Sequence, residues 1–237
     1  MIYVVSDIHG CYDRYRKLLE RIGLGPDDTL YVLGDVIDRG SDGFRILLDM
    51  AGRPNVMGLM GNHEAMAIDA IPYVLDAVSQ VGNTALSEEG EEAVGLWFRN
   101  GGGVSLDSFL LLDADEARTA WGYMRDMPLH REVEAGGRQF VLVHGGLDGF
   151  APSRPLDDYE RDEIVWCRPE ADQAYYTDKV LVVGHTPTWH FYREQGQRPL
   201  EAGIFRTESF IDIDCGCVYP GGRLGCLCLD TMEEIYV

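Results

Sequence analysis

Lysine is scarce in this 237-residue chain. Only Lys17 and Lys179 are lysines, and 40 acidic residues against 20 basic ones give a formal net charge of −20. A surface this acidic repels nucleic acids and anionic membranes at long range. We therefore expect no nucleic-acid partner. An anionic ligand can bind only where metal ions or clustered arginines reverse the field locally.

Long apolar runs are absent as well. No run approaches the roughly 20 residues that span a bilayer. The opening MIYVVSD (1–7) has neither the basic region nor the apolar stretch of a signal peptide. Six cysteines are too few for a disulfide scaffold. These absences predict a cytoplasmic protein without a membrane partner.

Short β-branched runs recur along the chain, and no internal repeat interrupts them. Helical patterns at 12–22 and 43–51 separate the early runs, with apolar residues at helical spacing. The alternation predicts an α/β fold with a parallel or mixed sheet covered on both faces. The predicted strand regions lie at 2–10, 29–40, 55–64, 139–146 and 179–186.

Residues 65–138 differ from the rest of the chain in their predicted secondary structure. Helical stretches dominate there, at 63–81, 91–100 and 113–127, and a GGG triplet occupies 101–103. Strand-like sequence resumes directly afterwards. We interpret the region as a helical insertion beside the site, within a single domain that spans residues 1–237.

The C-terminal part contains four closely spaced cysteines. SFIDIDCG (209–216) and RLGCLCLD (223–230) flank a Pro-Gly-Gly turn, which predicts a β-hairpin. A two-residue loop would pair Cys217 with Cys226 and Cys215 with Cys228, all on one face. An extra zinc site or a redox pair is one interpretation. Burial as small apolar side chains in the core is the one we favour.

Five predicted strands end in the same way, with a carboxylate, an imidazole or an amide beside a glycine. Four of the six histidines of the chain fall at these ends. Ligands of open α/β sheets bind at the carboxyl ends of the strands. The five motifs are DIHG (7–10), GDVIDRG (34–40), GNHE (61–64), HGG (144–146) and GHT (184–186).

The residue types in these motifs suit one kind of chemistry. Carboxylates, imidazoles and one amide, without a thiolate, are ligands for Mn²⁺, Fe²⁺ or Zn²⁺. Six such ligands exceed the needs of one tetrahedral site and suit two cations that share a bridging carboxylate. A non-catalytic metal-binding module is a remote alternative, because a closed structural site has no use for additional histidine and arginine side chains.

The ordered motifs resemble the metallophosphoesterases of the phosphoprotein phosphatase type. WFRNGG (97–102), IVWCRP (164–169) and IDIDCGCVYPGGRL (211–224) are similar to the compact bacterial and phage branch of that family. That branch includes serine/threonine protein phosphatases and symmetrical diadenosine tetraphosphatases. The resemblance implies a central β-sandwich of mixed sheets with helices on both outer faces, a four-layer αββα fold.

The resemblance also implies roles for individual residues. His63 would be the general acid, oriented by Asp38, and Arg39, Arg168 and Asn62 would bind the phosphate. Two divalent cations, most readily Mn²⁺ with Fe or Zn as alternatives, would share a bridging hydroxide that attacks phosphorus directly. The implied metal ligands are Asp7 and His9 for the first ion, Asn62, His144 and His185 for the second, and Asp35 for both.

Phosphoproteins and dinucleoside polyphosphates both present a phosphate group that the same metal site would accept. Few basic residues and the acidic run EEGEE (88–92) in the helical region oppose a tetraphosphate. We therefore predict a phosphomonoesterase for phosphoproteins or small phosphoesters, acting on phosphoserine or phosphothreonine, with symmetrical diadenosine tetraphosphate hydrolysis as the alternative. Glu64 is expected to be structural. The tryptophans are expected to serve packing, with Trp97 as the exception to test.

Overall fold

Strands and helices alternate along most of the chain in a computed structural model that describes residues 1–79 and 85–237. The predicted helices at 12–22 and 43–51 are confirmed with the same bounds. The helices are α1 (Tyr12–Ile22), α2 (Gly43–Ala51), α3 (Asn62–Ser79), α4 (Glu88–Arg99), α5 (Gly103–Phe109), α6 (Ala114–Arg125), α7 (Arg161–Val165) and α8 (Trp189–Glu194), with a short 3-10 helix at Leu156–Asp158.

The strands form two five-stranded mixed sheets within the described residues. The first sheet has the order β10-β9-β1-β2-β3 and the second β4-β5-β6-β8-β7. In the first, β1, β2 and β3 are parallel; in the second, β5, β6 and β8 are parallel. The strands are β1 (Ile2–Val5), β2 (Thr29–Val32), β3 (Val56–Gly58), β4 (His130–Ala135), β5 (Arg138–Val143), β6 (Lys179–Val183), β7 (Phe205–Arg206), β8 (Phe210–Asp212), β9 (Gly225–Cys228) and β10 (Glu234–Tyr236).

The two sheets pack face to face, with helices on their outer faces. Successive side chains of a strand point to opposite faces. In β1, Val4 therefore packs between the sheets, in one core with Leu142 and Val182, whereas Val5 packs in the outer core with Leu18 of α1. This arrangement confirms the predicted β-sandwich of mixed sheets between helical layers.

Helices α3 to α6 lie between β3 and β4, in the region that we interpreted as an insertion. The first predicted helix there, 63–81, corresponds to α3, and residues 80 and 81 lie outside the described residues. Helix α3 packs against α4, and α6 packs against α2. No helix in the described ranges is long and apolar enough to cross a membrane.

The predicted C-terminal hairpin is wrong. Strand β8 pairs with β6 in the second sheet, whereas β9 pairs with β1 in the first. The Pro-Gly-Gly turn therefore lies on a crossing from one sheet to the other. Local turn chemistry does not specify which strand becomes the partner, and both flanking strands find their partners elsewhere.

The cysteine pairs predicted from that hairpin are wrong for the same reason. Cys215 packs between the sheets, whereas Cys217, Cys226 and Cys228 pack in the outer core. All four side chains are buried and unpaired thiols. The interpretation as small apolar core residues agrees with this burial.

Candidate dinuclear metal centre

The polar residues of the five motifs meet at one edge of the sandwich. They follow the carboxyl ends of parallel strands, three in the first sheet and two in the second. Parallel strands in register bring their ends together within each sheet. The face-to-face packing of the two sheets then makes neighbours of residues separated by more than a hundred positions. The residues that follow these strands are Asp7 and His9 after β1, Asp35 after β2, Asn62 after β3, His144 after β5 and His185 after β6.

The backbone turns sharply where it leaves these strands. Of the seven non-glycine residues with positive φ in the described parts of the chain, six belong to this edge: Asp7, His9, Asp35, Asp38, Arg39 and His185. Glycines permit the close approach of the turns. A Cβ at Gly61 would lie 2.3 Å from Asp35 Oδ1, and a Cβ at Gly184 would lie 2.4 Å from Asp7 Oδ2.

Asp35 lies at the centre of the cluster and is buried. Its Oδ2 is 3.7 Å from Nε2 of His9, and its Oδ1 is 3.3 Å from Nε2 of His144. Asp35 belongs to two groups of side chains that could hold a metal ion, one with His9 and His63 and one with His144 and His185. One carboxylate is thus placed between two potential ion sites.

The histidine rings are oriented by backbone carbonyls behind them. Nδ1 of His9 donates to the carbonyl of Ile37 at 2.9 Å, and Nδ1 of His144 donates to the carbonyl of Leu33 at 2.6 Å. This tautomer directs the Nε2 lone pair into the cluster, which is how second-shell partners prepare a metal-binding histidine. Nε2 of His185 is buried and has no hydrogen-bond partner among the described residues, so it is available as a metal ligand.

The electrostatics keep Asp35 charged and two of the imidazoles neutral. Burial lowers the pKa of His9 to about 3, and burial together with His144 lowers the pKa of His185 to about 2. Although burial opposes it, His144 and His63 hold the pKa of Asp35 well below its usual range. An anionic carboxylate and neutral imidazoles are the forms that coordinate cations.

The predicted secondary structure of Asn62 and His63 is wrong. They were expected at a strand end with side chains on opposite faces, but β3 ends at Gly58 and both residues lie in the first turn of α3. A helix rotates successive side chains by only about 100°, so both side chains face the cluster. Oδ1 of Asn62 is 3.0 Å from Nε2 of His144.

His63 is part of a buried relay of three side chains. Its Nδ1 donates to Oδ2 of Asp38 at 2.6 Å. Nε1 of Trp97 donates to the same carboxylate, at 3.0 Å from Oδ1 and 2.9 Å from Oδ2. Although burial opposes it, Asp35 and then Asp38 raise the pKa of His63. The remaining nitrogen, Nε2, faces the cluster.

Two exposed arginines border the cluster. Nη1 of Arg39 donates to Nε2 of His9 at 2.6 Å, and Nη2 of Arg39 lies 3.0 Å from Nε2 of His63. Arg168 donates to the carbonyl of His185 at 3.3 Å and to Oγ1 of Thr186 at 3.0 Å. Both guanidinium groups therefore reach the mouth of the site, as expected for arginines that bind an anion there.

Some contributors to the site carried no clear signal in the sequence. Glu64 was expected to be structural, and its carboxylate accepts the backbone N–H groups of Asp35, Val36, Ile37 and Gly61 at 2.8 to 3.3 Å. Ser105 was not singled out, although its Oγ accepts the N–H of Asp38 at 2.8 Å. No local pattern could reveal that contact, because 67 residues separate the partners.

Aromatic residues continue the site beyond Arg39. The guanidinium carbon of Arg39 lies 5.7 Å from the centre of the Tyr219 ring. The Tyr219 ring in turn contacts Trp189 in a T-shaped pair with centroids 5.3 Å apart. Both rings are more than a third exposed. Trp189 was expected to be a packing residue, but it is 37% exposed where it contacts Tyr219.

Comparison with known proteins places this arrangement among phosphoesterases. The profile of the calcineurin-like phosphoesterase family matches residues 1–213. Serine/threonine-protein phosphatase 2 of Salmonella typhimurium (strain LT2) is 32% identical over 170 residues, which cover 70% of this chain and 67% of that protein.

Relatives of a second kind are named tetraphosphatases. A symmetrical bis(5'-nucleosyl)-tetraphosphatase of Acidovorax sp. (strain JS42) is 30% identical over 148 residues, 62% of this chain and 44% of that protein. The match thus spans less than half of this relative. The crystal structure of a candidate diadenosine tetraphosphatase superposes with a TM-score of 0.65 at 21% identity, covering 100% of this chain and 92% of that one.

Proposed function

The chain belongs to the calcineurin-like phosphoesterase family and is a metal-dependent phosphoesterase, and we propose that it hydrolyses phosphate monoesters at the Asp35 cluster. The observation that carries the proposal is that Asp35 is shared by two groups of metal-ligating side chains. A carboxylate shared in this way is what two cations with a common ligand require.

The proposed ligands come from the strand ends of both sheets and from the start of α3. Carboxylates, imidazoles and one amide, without a thiolate, favour Mn²⁺, and they also suit Fe²⁺ or Zn²⁺. The buried, unpartnered Nε2 of His185 fits a cation. We assign Asp7 and His9 to one ion, Asn62, His144 and His185 to the other, and Asp35 to both.

The surrounding side chains suit phosphoryl transfer. When bound, the two cations lower the pKa of a water molecule and polarise the phosphoryl oxygens. Arg39 and Arg168 bind the phosphate oxygens from the exposed side, assisted by the amide of Asn62, because guanidinium groups match phosphate geometry. His63 donates the proton on Nε2 to the leaving oxygen as the P–O bond breaks, while Nδ1 stays bonded to Asp38.

The substrate that we propose is a phosphoprotein, dephosphorylated at serine or threonine. The leaving alkoxide of these side chains is strongly basic and needs a proton, which a histidine held at 2.6 Å by a buried carboxylate can supply. Arg39 and Arg168 are both exposed, so a phosphorylated side chain on a protein surface can reach them. The similarity to protein phosphatase 2 supports the same choice.

A panel of substrates with Mn²⁺ tests this function. We expect hydrolysis of p-nitrophenyl phosphate and of phosphoserine and phosphothreonine peptides, with kcat/KM for the peptides above that for a phosphotyrosine peptide. No hydrolysis of any of these with Mn²⁺, Fe²⁺ or Zn²⁺ would contradict the proposal.

A second candidate function is the symmetrical hydrolysis of a dinucleoside tetraphosphate. A cavity of about 470 Å³ is lined by Trp189, Tyr192, Arg193 and Arg198 among others. Neither arginine forms an ion pair with another described residue. An aromatic wall with free cations suits a nucleobase and its phosphates, and Trp189 connects this cavity to Arg39 through Tyr219.

Including diadenosine tetraphosphate in the panel separates the two candidates. A kcat/KM a hundredfold above that of every phosphopeptide corresponds to about 2.7 kcal/mol of additional transition-state binding. That result would replace the phosphoprotein by the dinucleotide as the substrate and leave the metal-dependent phosphoesterase chemistry unchanged.

A further inference from the structure

The turn at Asp38–Arg39 carries both the proposed acid relay and the phosphate-binding arginine in an unfavourable backbone conformation. Asp38 has φ of 70° and Arg39 has φ of 67°. Two consecutive non-glycine residues in the left-handed region are uncommon, and such a conformation persists only where the surroundings impose it. The contacts that impose it come from residues 97–105, which we call the clamp segment. This segment comprises the end of α4, the connection and the start of α5.

Three residues of the clamp segment hold the turn through four hydrogen bonds. Nε1 of Trp97 donates to both carboxylate oxygens of Asp38, at 3.0 and 2.9 Å. Oγ of Ser105 accepts the N–H of Asp38 at 2.8 Å. The carbonyl of Gly101 accepts the N–H of Arg39 at 3.2 Å. The side chain and both backbone N–H groups of the turn are thus engaged.

The indole of Trp97 has little freedom to move. It is fully buried, and a Cβ at Gly102 would lie 2.5 Å from its ring atoms. The ring therefore rests directly on the backbone of the clamp segment. A rigid donor of this kind fixes the rotation of the Asp38 carboxylate, because it contacts both oxygens.

We propose that Trp97 is a positioning residue, which acts through Asp38 to aim Nε2 of His63 at the leaving oxygen. The inference rests on the proposed function, in which His63 is the general acid. Without the indole N–H, the Asp38 carboxylate can rotate, and the imidazole loses the partner that sets its orientation. Proton donation would suffer, whereas metal binding by the strand-end ligands would persist.

The test compares two replacements that separate the hydrogen bond from the volume of the ring. Trp97→Phe keeps an aromatic ring without a donor. Trp97→His loses ring volume but can place an N–H at the ring position equivalent to the indole Nε1. Trp121→Phe is the control, because Trp121 lies in the same helical region without contact to Asp38. The readout is kcat along a series of aryl phosphates from p-nitrophenyl to phenyl phosphate.

We expect Trp97→Phe to reduce kcat for phenyl phosphate about tenfold more than for p-nitrophenyl phosphate, because a poor leaving group depends on the acid. Trp97→His should recover part of that difference, and Trp121→Phe should match the wild type. In an Asp38→Asn background, Trp97→Phe should add no further dependence on the leaving group, because the two residues act in series.

Equal losses on all aryl phosphates, with or without bound metal, would overturn the inference. A further leaving-group-dependent loss from Trp97→Phe in the Asp38→Asn background would also overturn it. If Trp97→Phe does not fold, Ser105→Ala is the second test. A loss of kcat that is larger for phenyl phosphate than for p-nitrophenyl phosphate supports the positioning role of the clamp segment. An equal loss of kcat on both esters refutes that role. A wild-type protein inactive on every ester would instead refute the proposed function.

Discussion

Single residues at the candidate site adopt unfavourable backbone conformations that are rare elsewhere in residues 1–79 and 85–237. Six non-glycine residues with positive φ lie there, and each costs of the order of 1–2 kcal/mol. The compensation is a set of buried hydrogen bonds. Glu64 provides the largest share, because its two oxygens accept four backbone N–H groups of the turns around Asp35.

Glu64→Ala should therefore damage stability more than an ordinary buried substitution. Four buried N–H groups would lose their acceptor, and each unsatisfied group costs about 1–3 kcal/mol. We expect the free energy of unfolding to fall by at least about 4 kcal/mol in urea denaturation. Glu92→Ala, at an exposed position of α4, is the control and should change it by less than about 0.5 kcal/mol. Similar values for both variants would contradict this view of Glu64.

His63→Ala tests the assignment of the acid itself. Metal content should remain, because the strand-end ligands are intact. The kcat for phosphoserine peptides should fall about 100-fold or more, and the kcat for p-nitrophenyl phosphate much less. Metal analysis alongside the kinetics provides the control. Parallel losses on the two substrates would contradict the assignment of His63 as the acid, and loss of metal would identify it as a ligand.

At the scale of elements, helix α6 protects an edge of the first sheet. Strand β3 is the last strand of that sheet, and edge strands carry unpaired backbone groups. The hydroxyl of Tyr123 accepts the N–H of Gly58 at 3.0 Å and donates to the carbonyl of Val56 at 3.2 Å. One side chain of α6 thus replaces part of a missing strand.

Tyr123→Phe should weaken this edge without changing the shape of the helix. Two hydrogen bonds are lost, so we expect the free energy of unfolding to fall by about 1–3 kcal/mol. Tyr73→Phe is the matched control, because the Tyr73 hydroxyl has no hydrogen-bond partner among the described residues. Chemical denaturation of both variants measures the difference. An equal, small effect would show that water serves the edge as well as Tyr123 does.

The cavity beside α8 offers a second prediction at this scale. Arg198→Ala removes a free cation from the wall, so kcat/KM for diadenosine tetraphosphate should fall about tenfold, the loss of one charge-assisted contact. Activity on p-nitrophenyl phosphate should stay within about twofold, because that substrate does not reach the cavity. Arg138→Ala is the control, because Arg138 begins β5 and does not line this cavity. An unchanged kcat/KM for the dinucleotide would exclude the cavity as its binding site.

At the scale of the whole molecule, the proposed metal centre joins the two sheets. Asp7 and Asp35 follow strands of the first sheet, whereas His144 and His185 follow strands of the second. Cations bound between them would be lost on unfolding. Metal binding should therefore stabilise the sandwich as a unit and not only the local turns.

Calorimetry with and without Mn²⁺ tests this link. At a hundredfold excess over Kd, one bound ion adds about 2.7 kcal/mol, which raises Tm by roughly 5–10 °C in a protein of this size. EDTA should reverse the shift. Asp35→Asn should remove most of it, whereas Asp157→Asn, at an exposed position, should retain it. An equal shift in both variants would place the stabilising metal elsewhere.

Part of this molecule could be read directly from its sequence. The periodicity of α1 and α2 is contained in windows of about ten residues, so their bounds agree with the structure. The meeting of Asp7 with Asp35 could be predicted because the carboxyl ends of neighbouring parallel strands share one edge of a sheet. Both signals depend on local spacing and on a general rule of sheet geometry.

Only the tertiary structure decided the remainder. A Pro-Gly-Gly turn has the same local chemistry whether it closes a hairpin or crosses between sheets, so the partners of β8 and β9 were not encoded near it. The contact of Trp97 with Asp38 joins positions 59 residues apart. Such contacts depend on how separate elements pack, because packing selects partners by shape and position and not by distance along the chain.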